Sequence, residues 1–91
     1  MAFEWDDDKN RLNIEKHGVS FDDAKMIFED VTLDAVDGRF DYGEARTISI
    51  GMLKGVAILA VIHTDRLGAR RIISARRANR KEREQYEQAI R

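Results

Sequence analysis

Basic residues are concentrated in the last third of the chain, and they are the side chains whose types and spacing most clearly suggest chemistry. Between Arg70 and Arg83 there are seven basic residues and one acidic residue. A guanidinium group is planar, permanently charged and able to donate two parallel hydrogen bonds, so it suits phosphate oxygens. The pattern therefore predicts contact with a nucleic-acid backbone, although it does not distinguish binding from cleavage.

Charge is distributed unevenly along the chain. Residues 1–65 carry 7 basic and 14 acidic side chains, residues 66–91 carry 9 basic and 3 acidic ones, and the formal net charge is −1. Such a division predicts two faces with different partners, one polyanionic and one basic. The alternative is that the two halves neutralise each other within the fold.

Length and composition limit the class of protein. A chain of 91 residues without a linker or an internal repeat is expected to form one domain over residues 1–91. It contains no cysteine, which excludes disulfides and thiolate metal sites, and its longest apolar run, residues 56–62, is too short to span a membrane. We therefore expect a soluble, cytoplasmic protein with no membrane partner.

Two helices are predicted before the strands. Aspartates at residues 6–8 offer an N-cap and a negative first turn for a helix over residues 7–17, which Gly18 ends. Ser20 caps a second helix that continues to near Asp30.

After the second helix, the period of the apolar residues changes from about 3.6 to about 2 residues. Strands are predicted over residues 32–36, 46–52, 56–64 and 69–78, with a loop at 40–43. Short connections make neighbouring strands antiparallel. Residues 3–5 form an edge strand or an anchor on the core, and Asn79 caps a C-terminal helix. The predicted class is α+β: two N-terminal helices, an antiparallel meander of three or four strands and a C-terminal helix.

Alternation gives the last strand two faces. The face expected to pack under a helix consists of Arg71, Ile73, Ala75 and Arg77. The face expected to meet phosphate consists of Arg70, Ile72, Ser74 and Arg76. We expect this second face to share a shallow groove with Thr47, Ser49 and Gly51. The alternative is that the arginines only keep a sheet edge hydrated and pair with acidic residues.

Two groups of residues resemble the BrnT family of toxins, and together they cover almost the whole chain. The N-terminal group consists of Phe3-Glu4-Trp5-Asp6, Lys9, Asn13, Lys16-His17-Gly18-Val19-Ser20-Phe21, Ala24, Phe28 and Asp30. The C-terminal group consists of Arg46, Ile50-Gly51, Thr64, Arg66 and Arg71-Ile72-Ile73-Ser74-Ala75-Arg76. The chain departs from the family pattern at His63, Asp65 and Asn79.

This resemblance implies a RelE-like fold and an endoribonuclease that cleaves RNA without a metal ion or other cofactor and so inhibits translation. It also implies neutralisation by a BrnA-like ribbon-helix-helix antitoxin, commonly in a heterotetramer. Such a complex contacts operator DNA only through the antitoxin.

RNA cleavage of this kind needs cations that stabilise the charge developing on the phosphoryl oxygens. Arg76 is the first candidate for this role, with Arg46, Arg66 and Arg71 in support. The residues expected to bind RNA are Arg70, Arg71, Ser74, Arg77, Arg80, Arg83 and Lys16.

The reaction also needs a group that accepts the proton of the 2′-hydroxyl and an acid for the leaving oxygen. The candidates are His17, His63, Glu82 and Tyr86. His17 belongs to the matching Lys-His-Gly motif, but its alternative role is a helix C-cap. His63 is expected to be buried and hydrogen-bonded, and Tyr86 to lie in the core or stack on a base.

Two other functions remain open from the residues alone. The first is a non-catalytic nucleic-acid-binding module that uses the same arginines. The second is an interaction protein whose acidic N-terminal half binds a basic partner helix. No pair of His or carboxylate residues has a spacing typical of a metal site.

Overall fold

Helical segments pack on both faces of a five-stranded sheet in the computed structural model, which describes residues 1–38 and 44–90. The strands are β1 (Ala2–Glu4), β2 (Leu33–Val36), β3 (Thr47–Leu53), β4 (Ala57–Arg66) and β5 (Ala69–Arg77). The helices are α1 (Asp7–His17), α2 (Phe21–Ala24) and α3 (Arg80–Ile90), and a 3₁₀ segment, Lys25–Glu29, follows α2. The α+β class is confirmed. The predicted loop at 40–43 lies outside the described residues.

The sheet is larger than predicted. Its strand order is β1-β5-β4-β3-β2. Strands β2 to β5 form the expected antiparallel meander, but β1 pairs with β5 in parallel, which makes a fifth strand and a mixed sheet. Parallel pairing needs a long connection, and nearly the whole chain separates β1 from β5. The prediction of residues 3–5 as an edge strand is confirmed for Phe3 and Glu4.

Helix α1 has the ends that were predicted. The Asp6 side chain accepts hydrogen bonds from the backbone N–H groups of Asp8 (2.9 Å) and Lys9 (3.2 Å). Gly18, with φ 70°, ends the helix by donating its N–H to the Ile14 carbonyl oxygen at 2.8 Å. A positive φ is readily adopted by glycine and strained for other residues.

The second predicted helix is not continuous. Ser20 caps it as expected, accepting from the Asp23 N–H at 3.0 Å, but the α-helix ends at Ala24 and a 3₁₀ segment follows. Residues three apart eclipse in a 3₁₀ helix, so Ala24 and Ile27 both reach the sheet and are fully buried. Gly51 makes this close approach possible, because a Cβ atom at that position would lie 3.0 Å from the Ile27 Cβ.

The core lies in two layers, one on each face of the sheet. Under α2 and the 3₁₀ segment the buried residues include Phe21, Ile27, Leu59, Val61 and Ile72. Under α3 they are Ile50, Ala60, Ala78 and Tyr86. Within residues 1–38 and 44–90, no helix is long and apolar enough to cross a membrane.

Candidate nucleic-acid interface

A β-bulge in β5 decides which arginines share a face. Ile62 pairs with Ser74, but the next residue, His63, pairs with Ile72, so Ile73 is the extra residue. A bulge of this kind places two residues opposite one and changes the alternation of side chains. A prediction that lets side chains alternate through the whole of β5 is therefore wrong on one side of Ile73.

The structure corrects the two predicted faces of β5. Paired residues point to the same face of a sheet. The face toward α3 carries Arg71, Ser74 and Arg76, opposite Thr64, Ile62 and Ala60. The face toward α2 carries Arg70, Ile72, Ala75 and Arg77, opposite Asp65, His63, Val61 and Leu59. The predicted grouping was right for residues 74–77 and wrong for residues 70–72, because alternation was assumed to continue through Ile73.

The expected shallow groove with β3 is also wrong. Ser49 pairs with Val61, and Val61 pairs with Ala75, so Ser49 lies on the face opposite Ser74. Ser49 is fully buried.

Arg76 is held by the first turn of α3. Its Nη1 and Nη2 atoms donate to the two carboxylate oxygens of Glu82 at 2.7 and 3.0 Å. Glu82 in turn accepts from the Asn79 N–H at 2.9 Å, and the Asn79 side chain accepts from the Glu82 N–H at 2.8 Å. This reciprocal capping box fixes the carboxylate that orients Arg76. The Arg76 side chain remains 28% exposed, so it is oriented and still accessible.

Three further predicted arginines lie on the same face. Arg71 donates to Glu4 of β1 at 2.8 Å, and Arg66 makes three hydrogen bonds with Glu44 at 3.0 to 3.2 Å. Arg46 directly precedes β3, and its carbonyl oxygen accepts from the Asp37 N–H at 2.8 Å, which continues the β2–β3 ladder. Alternation from Thr47 places the Arg46 side chain on this face. We call the resulting set the arginine face: Arg46, Arg66, Arg71, Ser74 and Arg76.

A cavity between α1 and β5 brings predicted residues from both ends of the chain together. Its volume is about 250 Å³, and we call it the α1 cavity. The lining residues are Lys9, Leu12, Asn13, Lys16, His17, Ile73 and Ser74. Ser74 belongs to the arginine face as well, so the two surfaces are continuous. Sequence reasoning assigned no chemistry to Lys9, although it lies two helical turns from Lys16 and therefore on the same side of α1.

Asn13 attaches α1 to β5. Its Nδ2 atom donates to the carbonyl oxygens of Val19 (2.8 Å) and Ala75 (2.7 Å), and its Oδ1 atom accepts from the Ala75 N–H at 3.2 Å. The Asn13 side chain thereby pairs with the edge of β5 beyond the short strand β1. This residue fixes His17 and Lys16 relative to Ser74.

The remaining predicted site residues lie elsewhere. Tyr86 is buried in the core under α3. Arg70 donates to both carboxylate oxygens of Asp65 (2.9 and 3.2 Å) and lies 4.7 Å from the Phe28 ring centroid. Arg80 pairs with Glu84 on the exposed side of α3. Arg77 and Arg83 line a separate cavity of about 240 Å³ at the far end of β5.

His63 is buried and hydrogen-bonded, as predicted, at 3% exposure. Its Nε2 atom lies 2.7 Å from the Ser49 Oγ, which donates to Asp34 at 2.5 Å, and Thr32 donates to the same Asp34 oxygen at 2.8 Å. Burial, followed by the charge of Arg70, lowers the pKa of His63, while Asp65 and Asp34 oppose the shift. Sequence reasoning missed Asp34 and Ser49 as partners of His63, because the pairing register that joins them leaves no local signal.

Acidic and histidine side chains do not form a metal cluster in the part of the chain that the structure describes. Among residues 1–38 and 44–90, no group of three or more His, Cys, Asp or Glu residues is placed to hold a metal ion.

Comparisons with known proteins agree on one family. The family described as "Ribonuclease toxin, BrnT, of type II toxin-antitoxin system" matches residues 5–82. The 1.1 Å crystal structure of the Brucella abortus ribonuclease toxin BrnT is similar to this chain, with 30% sequence identity and a TM-score of 0.66. That match covers 88% of this chain and 99% of the Brucella chain. A search of curated proteins gave no match.

Proposed function

Since this chain belongs to the BrnT family of ribonuclease toxins from type II toxin–antitoxin systems, we propose that it cleaves RNA without a metal ion and uses the arginine face to do so. This cleavage inhibits translation because cleaved messenger RNAs cannot be read to the end. We further propose that a ribbon-helix-helix antitoxin of the BrnA type neutralises it in a heterotetramer, and that this complex meets operator DNA only through the antitoxin.

The observation that carries this proposal is the continuity of the arginine face with the α1 cavity at Ser74. Cations from β4, from β5 and from the residue before β3 lie on one side of the sheet, and Lys9, Lys16 and His17 line the adjoining cavity. A phosphate bound near Ser74 would therefore be within reach of both guanidinium groups and an imidazole. This combination serves phosphodiester cleavage better than backbone binding alone, which does not need an imidazole.

In the proposed reaction the 2′-oxygen of the substrate attacks the adjacent phosphorus while His17 accepts the 2′-hydroxyl proton. An imidazole suits this step because a neutral ring has one nitrogen that can accept a proton. Arg76, supported by Arg71, stabilises the negative charge that develops on the phosphoryl oxygens. The bond between phosphorus and the 5′-oxygen breaks, and that oxygen takes up a proton from water. The proton that His17 accepted then returns to the solvent. The products are a 2′,3′-cyclic phosphate and a 5′-hydroxyl end.

Binding of RNA requires phosphates to replace carboxylates as partners of the arginines. The pairs Arg71–Glu4 and Arg66–Glu44 are both partly exposed, and exposed ion pairs contribute only about 0 to 1 kcal/mol. Their exchange for phosphate therefore costs little. Arg70 lies on the opposite face and Tyr86 lies in the core, so the proposed reaction uses neither.

The test is incubation of the purified protein with RNA in excess EDTA, followed by analysis of the product ends. We expect cleavage to continue and to leave cyclic phosphate and 5′-hydroxyl ends. If RNA stays intact with and without added divalent metal ions, yet binds with the salt dependence of phosphate contacts, the protein is a non-catalytic nucleic-acid-binding module. Cleavage that EDTA stops would overturn the metal-independent mechanism.

A further inference from the structure

The hydrogen bonds around Ser49 determine which nitrogen of His63 carries the proton. A serine hydroxyl has a single proton, and Ser49 donates it to the Asp34 carboxylate at 2.5 Å. The Ser49 oxygen can then only accept from His63, at 2.7 Å from Nε2. Neutral His63 is therefore protonated at Nε2, and its Nδ1 atom is an acceptor.

The Nδ1 atom of His63 has no donor among the described residues. It is buried, and an Asp65 oxygen, which is also an acceptor, lies 3.9 Å away. Two acceptors that face each other repel unless a proton donor lies between them. Protonation of Nδ1 itself would supply that donor, but burial and Arg70 lower the pKa of His63 and oppose it. The arrangement therefore calls for a donor that the described residues do not supply.

A cavity of about 320 Å³ lies beside His63 and Asp65 on the face opposite the arginine face. We call it the His63 pocket. Its lining residues are Asp34, Ala35, Val36, Thr47, His63, Asp65 and Arg70. Asp34 uses one carboxylate oxygen for Thr32 and Ser49, and its second oxygen has no partner among the described residues. The pocket therefore presents three acceptors and, with Arg70 counted against the two aspartates, one net negative charge.

We propose that the His63 pocket binds the ammonium group of a lysine side chain from a partner protein. An ammonium group has three donors on one nitrogen, which matches the acceptors of Asp34, His63 and Asp65. Two acceptors 3.9 Å apart are close enough to share one nitrogen at ordinary hydrogen-bond lengths. Because His63 Nδ1 is buried, the half-exposed Asp65 side chain has to turn and give up part of its pairing with Arg70 to admit the ammonium group.

The rim of the pocket favours lysine over other cations. Val36 is 81% exposed and lies on the edge strand β2, where it offers apolar surface to a four-carbon stem. A single net negative charge is neutralised by a monocation, whereas a diamine would leave a charge in excess. Arg70 already occupies both oxygens of Asp65, which leaves no bidentate site for a guanidinium group.

The probe for this site is Nα-acetyl-lysine amide, and the readout is the ¹⁵N NMR shift of His63 Nδ1 in the full chain. We expect a saturable shift toward the hydrogen-bonded value. Nα-acetyl-norleucine amide, which has the stem without the ammonium group, should have no effect, and putrescine should bind more weakly. Asp34→Asn should weaken lysine binding roughly tenfold and leave RNA cleavage unchanged. The lysine-binding proposal and the ribonuclease proposal can therefore fail independently of each other.

Matched variants keep the result interpretable. Asp8→Asn removes an exposed carboxylate outside the pocket and should leave lysine binding intact, and Asp65→Asn gives a second test if Asp34→Asn does not fold. The proposal is overturned if the lysine probe leaves Nδ1 unmoved, or if Asp34→Asn and Asp8→Asn weaken binding equally. It is also overturned if Nδ1 carries a proton at neutral pH without the probe, or if putrescine binds more tightly than the lysine amide.

Discussion

The arginine face and the His63 pocket both take residues from β4 and β5, but they satisfy their charges in different ways. On the arginine face, Arg71 and Arg66 make ion pairs that remain partly exposed. In the pocket, His63 is buried, and hydrogen bonds through Ser49 connect it to Asp34. Exposed pairs exchange partners at little cost, whereas a buried network is fixed and specific. The comparison fits the two proposals, an exchange of carboxylates for phosphates on the arginine face and recognition of one shape of donor in the pocket.

Consecutive arginines illustrate how the chain separates the two regions. Arg70 lies beside Asp65 and Phe28 at the pocket, while Arg71 reaches Glu4 on the opposite face. The bulge at Ile73 then sets Ser74 and Arg76 on the same side as Arg71. Without the bulge, Arg71 would share a face with Ala75 and Arg77. One extra residue in β5 therefore assembles the arginine face.

The largest effect is expected from Arg76→Ala. Loss of a donor to the developing phosphoryl charge costs about 3 kcal/mol, or on the order of a hundredfold in cleavage rate. Single-turnover RNA cleavage in EDTA measures this change. Arg76→Lys keeps the charge but removes the two-point interaction with Glu82, so it should recover only part of the rate.

Arg11→Ala is the matched control for Arg76→Ala. Arg11 also pairs with carboxylates, Asp8 and Glu15, but it lies on α1 outside both regions. Thermal unfolding of each variant separates a catalytic effect from loss of the Glu82 partner. If the Arg76 and Arg11 variants cleave RNA equally fast, the proposed role of Arg76 in the arginine face is wrong.

The second prediction concerns Asn13, which holds helix α1 against β5. Asn13→Ala leaves an N–H and two carbonyl oxygens of the backbone without their side-chain partner. A buried unsatisfied group costs about 1 to 3 kcal/mol, so we expect a loss of roughly 2 to 4 kcal/mol in the free energy of unfolding. Urea unfolding measures it.

Asn79→Ala provides a scale for the Asn13 result. It removes an exposed helix cap, which is worth about 1 kcal/mol. An Asn13 variant no less stable than the Asn79 variant would show that α1 is held mainly by other contacts.

Local patterns predicted most of the elements but not the features that depend on distant pairing. Helix α1 has both of its expected caps, and β3 and β5 lie within one residue of their predicted bounds. These elements depend on neighbouring residues. Strand β1 required a partner from the other end of the chain, and its parallel pairing with β5 has no local signal.

Some residues of the candidate site could likewise be predicted from local sequence, and others could not. Residue type and resemblance predicted Arg76, His17 and Ser74, and the structure places Ser74 and His17 at one cavity. The partners of His63 could not be predicted, because Asp34, Ser49 and His63 meet only through the register of three strands. The bulge at Ile73 was missed because a fully apolar pair, Ile72-Ile73, gives no break in pattern. The features of the site that could not be predicted are therefore those that the pairing register of the sheet determines.

The burial of His63 also predicts how the free energy of unfolding depends on pH. Its pKa is lowered below 6.5 in the folded chain, so the unfolded chain takes up a proton first as the pH falls. The contribution of His63 to stability is therefore complete above about pH 6.5 and decreases below it, with a slope of up to about 1.4 kcal/mol per pH unit. His63→Gln should flatten this part of the stability curve, as measured by urea unfolding between pH 5 and 7.

His17→Gln is the control for that measurement, because it removes the other histidine and leaves the pocket intact. We expect it to retain the slope of the unchanged protein. If His17→Gln flattens the curve as much as His63→Gln does, the slope does not arise from the buried histidine.

The smallest expected effect tests directly whether RNA meets one face of the sheet and not the other. Arg66→Ala removes an exposed cation of the arginine face, so it should weaken RNA affinity by about 1 kcal/mol. Each phosphate of a single-stranded RNA that is no longer neutralised reduces the slope of log affinity against log salt by about 0.7. Arg70→Ala removes a cation of equal charge from the opposite face and should leave that slope unchanged. Both residues lie at the same end of β4 and β5 and are engaged by carboxylates, with Arg66 52% and Arg70 21% exposed. The register assigns them to opposite faces. Equal slopes for the two variants would mean that RNA reaches the His63 side as well, and the separation of the two regions would fail.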